Sequence, residues 1–106
     1  MAKYMIHASY TPEGLQGLMK DKASGRKSAV QAAVKSAGGK LESFYFSFGH
    51  DDVVLIIDMP DNVSAAALAL TTAATGVVHI ATTPLLTVEE VDKALAMKMK
   101  YRAPGE

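Results

Sequence analysis

The sequence predicts an α+β domain: one four-stranded antiparallel sheet, two helices on one of its faces, and an added C-terminal helix. Three observations carry this. Lys3–Tyr10 reads as a strand, and in FYFSFGHDDVVLIIDMP, Phe44 to Pro60, two apolar runs flank a tight turn, which marks a β-hairpin. Between the strands stand helix start and stop signals of recognisable chemistry. The resulting order, β-α-β-β-α-β-α, leaves few topologies, because β-α-β crossovers are right-handed. They place both internal helices on one face and give the strand order 4-1-3-2 of a ferredoxin-like fold.

Each element has a local reason. Lys3–Tyr10 puts Tyr4, Ile6 and Ala8 on one side and Met5, His7 and Ser9 on the other. Thr11-Pro12-Glu13 supplies an N-cap, a proline at the first helical position and an acid in the first turn. That helix is expected to run to Ala37 with a break near Ser24-Gly25, and Gly38-Gly39 stops it. Its second half spaces Val30, Ala33, Val34 and Ala37 as one helical face. A hairpin from about Lys40 to Met59 follows, turning at Gly49-His50-Asp51-Asp52. A two-residue loop there, with Gly49 free to take positive φ, puts Phe44, Phe46 and Phe48 on the same face as Val53, Leu55 and Ile57. Pro60-Asp61-Asn62 ends the hairpin and caps a helix from Val63 to about Ala74. Val77–Thr83 reads as the fourth strand, stopped by Pro84, and Thr87-Val88-Glu89-Glu90 opens a last helix through about Met99.

At 106 residues the chain suits a single domain spanning its whole length. Eleven basic and eleven acidic side chains cancel, which argues against sequence-independent nucleic-acid binding. The absence of cysteine excludes disulfides, zinc–thiolate sites and thiol catalysis. The N-terminus does not read as a signal peptide and no apolar stretch is long enough to span a bilayer, so a cytoplasmic protein without membrane contact is expected. The glycines fit no phosphate-binding loop, and Met97 and Met99 form no copper motif.

Two helices cover one face of the sheet and leave the other open. The open face is expected to carry His7, Ser9, Tyr45, Ser47, Val54, Ile56, Asp58, His79, Ala81 and Thr83. This mixture is too apolar for a solvated face and too polar for a dry core. Pairing with a second copy would cover it and enclose a cavity suited to a small molecule. The residues expected to line that cavity are His7, Ser9, Tyr45, Asp58 and His79. His7 and His79, on adjacent strands, would serve as ligand donors, an acid–base pair, or simply hydrogen-bonded interface histidines. A metal site would need a third ligand such as Asp58, so none is assigned, and no cofactor is named. His50, Asp51 and Asp52 read as turn residues, the two aspartates bonding local amides. Arg26 and Lys27 read as a solvated face.

Over nearly its whole length the chain resembles the GYD-domain family. The resemblance is carried by KYMIHASYTPEGLQGL, GGKLESFYFSFGHDDVVLIIDMPDN and ALALTTAATG followed by a Thr-rich strand. The family's Gly-Tyr-Asp tripeptide reads Gly49-His50-Asp51 here. The resemblance implies a ferredoxin-like domain similar to dimeric α/β-barrel proteins and implies no particular reaction. Three functions stay open on this reading. They are a homo-oligomer binding a small molecule, a cofactor-free oxygenase or isomerase using His7 or His79, and an assembly or regulatory module.

Overall fold

A computed structural model describes all 106 residues. The elements are β1 (Ala2–Tyr10), α1 (Pro12–Ser36), β2 (Lys40–Phe46), β3 (Val53–Met59), α2 (Asn62–Ala73), β4 (Val78–Leu85) and α3 (Val88–Ala96). All four strands form one sheet in the order β2-β3-β1-β4, every pairing antiparallel. This is the ferredoxin-like arrangement that the element order predicts.

The alternation read from the sequence fixes which side is buried. Tyr4, Ile6 and Ala8 of β1 and Val53, Leu55, Ile57 and Met59 of β3 are buried. They meet Val34 of α1 and Ala65 of α2, so the core is a thin layer between the sheet and two helices. Ile57, Met59 and Val34 lie at its centre with almost no exposure. Small residues let α2 come close to the sheet. Its N-cap, Asp61, accepts from Ser64 N at 2.8 Å while the Ser64 hydroxyl reaches back to the Asp61 amide.

Five details depart from the expectation. The helix break falls at Lys22, with φ 69° and ψ 166°, rather than at Ser24-Gly25. The hairpin loop is wider than two residues: the last ladder contact is Ser47 N to Asp52 O at 2.8 Å, and Gly49 keeps out of the positive-φ region. Phe48 is consequently off the sheet and fully exposed, whereas Phe44 and Phe46 keep the predicted face and touch edge-to-face. β4 runs through Pro84, which pairs with Tyr4, because an edge strand can spare one ladder donor. α3 ends at Ala96, short of Met99, with no other element packed on its last turn. A bulge at Glu42, between Leu41 and Ser43, also separates the two halves of β2.

Candidate functional site

The open face is present as its alternation requires. Met5, His7 and Ser9 are half-buried, Val54, Ile56 and Asp58 likewise, and Tyr45, His79, Ala81 and Thr83 are exposed. Register places them in rows across the sheet. One row reads Tyr45, Val54, His7 and Ala81; the next toward the hairpin pairs Ser9 with His79.

His7 and His79 are therefore diagonal rather than opposite, about 7 to 8 Å apart. Tyr45 lies two strands from His7, roughly 10 Å away. Asp58 pairs with Lys3, four positions along β1 from His7, or about 13 Å. It belongs to a different cluster: Lys3 Nζ donates to Asp58 Oδ1 at 2.9 Å and to Glu42 Oε1 at 2.8 Å. The hydrogen bond to Glu42, then that to Asp58, raises the Lys3 pKa, so at this end of the face one ammonium bridges two carboxylates and no cation is left free. No three acidic or histidine side chains converge in a way that would hold a metal ion.

The side chains that do come together are His7, Ser9 and Asp51. Asp51 Oδ2 lies 3.2 Å from His7 Nδ1, and Ser9 Oγ donates to Asp51 Oδ1 at 3.2 Å. The histidine contact is within charge-pair range, but its angle falls short of a hydrogen bond, leaving a buried Nδ1 beside a carboxylate. Nε2 has no partner in the chain and remains solvent-accessible. His50 is almost fully exposed and stands 3.5 Å from the other Asp51 oxygen.

The two turn aspartates thus do not bond local amides, as their sequence position suggested. Both reach across to β1. Asp52 Oδ2 accepts from Tyr10 N at 2.8 Å while Asp52 N donates to Ala8 O at 2.8 Å. This pins the turn on the end of β1 and delivers the Asp51 carboxylate to the open face. The clue was available in the expected strand order. If β3 lies antiparallel beside β1, residues just before Val53 must flank the strand end that carries His7 and Ser9.

A second concavity lies on the helix side. About 130 Å³ opens between α1 and α2, floored by Ile6, Leu55 and Ile80 and flanked by Val30 and Leu68. It is almost wholly apolar, and Arg26 stands on its wall, 3.6 Å from Asp21. It shares no residue with the His7–Ser9–Asp51 cluster.

Comparison with curated proteins and with solved structures found no match. The model of the GYD domain matches residues 4–95, a span from β1 into α3 that includes the turn and every strand of the sheet. On that match the chain belongs to the GYD domain family.

Proposed function

We propose that this protein binds a small organic molecule on the open face of its sheet, in a cavity completed by a second copy of the chain. The observation that carries the proposal is the His7–Ser9–Asp51 cluster, a built polar group on an otherwise mixed and uncovered face. Met5, Val54, Ile56 and Ala81 supply an apolar floor beside it. His7 Nε2, His79 and Tyr45 supply hydrogen-bonding groups around that floor. Lys3 bridges Glu42 and Asp58, so this end of the face offers no free cation to an anionic ligand. Such a surface favours an uncharged, partly apolar ligand with one or two oxygen or nitrogen atoms.

Native mass spectrometry of the full chain, purified from the cells that make it, tests this directly. A dimer or larger assembly with stoichiometric extra mass is expected, and His7→Ala or Tyr45→Ala should lose that mass while staying folded. An assembly without extra mass would favour a role in protein contacts alone. A monomer would overturn the proposal.

The Asp51 contact favours a second reading, proton transfer by His7 as in a cofactor-free oxygenase or isomerase. A carboxylate beside Nδ1 selects the tautomer protonated there and leaves Nε2 as the basic nitrogen. Asp51 would then be a positioning residue and His7 the base. ¹⁵N NMR of the imidazole should show the Nδ1-protonated tautomer in the native chain and a mixture in Asp51→Asn. A native spectrum dominated by Nε2–H would sink this reading and leave the binding proposal standing.

A further inference from the structure

The C-terminal segment is folded but has nothing to fold against. Every residue of α3 is exposed, and the helix makes no substantial packing contact with any strand or other helix. The radius of gyration, 17.0 Å, exceeds the roughly 13 Å of a compact domain of this length, as a projecting segment requires. Yet the helix is well specified at its start. Thr87 Oγ1 accepts from Glu90 N at 3.1 Å, and Glu90 Oε1 accepts from Thr87 N at 2.9 Å. A cap alone does not hold nine residues helical in water, where isolated helices much below about 12 residues are marginal. Packing has to supply the rest.

The chemistry of the segment says what it packs on. Val88, Val91 and Leu95 fall at i, i+3 and i+7, one stripe of the helix, and Leu86, Met97, Met99 and Tyr101 extend the apolar content at both ends. These seven side chains together expose on the order of 800 Å², which is about what each partner buries in a standard interface. Charge is divided along the segment: Glu89, Glu90 and Asp92 come first, then Lys93, Lys98, Lys100 and Arg102. An element that is acidic at one end and basic at the other is complementary to an antiparallel copy of itself, the relation a two-fold axis produces. A membrane surface fits less well, because the helix itself carries three acids and one lysine and would be repelled by anionic lipid.

We propose that residues 86–101 form a dimerisation arm that packs antiparallel against the same arm of a second copy. The arm is separate from the open sheet face, and the pairing holds whether or not that face carries a ligand.

The chain has no cysteine, so a single introduced thiol reports on the pairing without background. Analytical ultracentrifugation of the full chain is compared with the double variant Val91→Glu, Leu95→Glu. Neither side chain supports the body of the fold, so far-UV circular dichroism should keep the sheet signal. The dimer dissociation constant is expected to rise by more than about tenfold, since each variant arm brings two charges into an apolar seam. Val91→Cys should form a covalent dimer under mild oxidation about tenfold faster than Val63→Cys, a control on exposed α2. An unchanged dissociation constant overturns the arm and leaves the sheet-face cavity intact. Equal cross-linking rates overturn the packing of arm against arm. So does a monomeric chain that binds anionic phospholipid vesicles through α3.

Discussion

Adding one methyl group to α1 at Gly14, or three residues later at Gly17, should move stability in opposite directions. Gly14 is buried where the helix starts against the chain entering β4. A Cβ there would overlap the Val77 carbonyl and sit 3.1 Å from the Tyr10 ring. The carbonyl cannot swing away cheaply, because it accepts from Thr11 N at 3.0 Å and from Thr11 Oγ1 at 3.2 Å. Gly14→Ala therefore has to shift α1 or break these bonds. Two hydrogen bonds at about 1 kcal/mol each, with overpacking of 1 to 3 kcal/mol partly replacing that loss, give roughly 2 to 4 kcal/mol. For a domain of this size that lowers Tm by about 10 to 20 °C. At Gly17 an added Cβ meets nothing within 4 Å, and the residue is exposed and helical. Gly17→Ala should gain about 0.5 to 1 kcal/mol from helix propensity alone. Urea denaturation followed by circular dichroism measures both. A Gly14→Ala chain as stable as the native one would refute the close approach of α1 to Val77, and with it the placing of β4 and His79.

Lys22 sits in a backbone region that only glycine adopts without strain, so Lys22→Gly should raise stability by about 1 kcal/mol in the same denaturation assay. The two turn aspartates should separate by role. Asp52→Ala removes the acceptor of Tyr10 N and should cost about 1 to 2 kcal/mol, whereas Asp51→Asn should alter the His7 tautomer with a smaller stability change. Acid should loosen the helix starts. Hydrogen bonds from the Ser64 backbone to Asp61, and from the Thr87 backbone to Glu90, hold both carboxyls below the usual range. A folded pKa lower than the unfolded one stabilises fully above about pH 4 and is lost as pH falls through the folded value. Helical circular dichroism should therefore decline below that range, with α3 amides exchanging first because no other element of the same chain packs on them; α3 protection that persists to pH 2 would contradict this.

Much of the fold was legible because its signals are local and redundant. Alternation in β1 and β3, the Thr11-Pro12 start and the glycines after α1 each act within a few residues, and each agrees with the others. The errors occur where long-range contacts decide. Pro84 looks like a strand stop until its strand is known to be an edge. A wide turn and a narrow one put the same phenylalanines on the same face, so parity alone could not reveal that Phe48 leaves the sheet. In the candidate site, strand parity put His7 and Ser9 on the open face, but Asp51 was hidden by its position in a turn. Its role depends on the β1–β3 pairing, a contact across more than forty residues of chain. Asp58 was grouped with the histidines by face alone, and register then places it at the other end of β1 beside Lys3.

The turn also explains how the family tripeptide can read Gly-His-Asp here. Its three positions do different physical work. Gly49 has open space around it, and His50 is 98% exposed, with its ring directed away from the sheet except for the contact to Asp51. Asp51 is the position held down, through Ser9 and His7, while neighbouring Asp52 anchors the backbone. A side chain at position 50 therefore meets little steric demand, and an aromatic ring there would be as exposed as the imidazole. His50→Tyr should then leave stability within about 0.5 kcal/mol of the native chain and leave the His7 ring unaltered by NMR. A large change at His7 in that variant would mean that position 50, not Asp51 alone, sets the imidazole. If His7 keeps its state, the chemistry of this turn resides in the aspartate and in the strand it reaches.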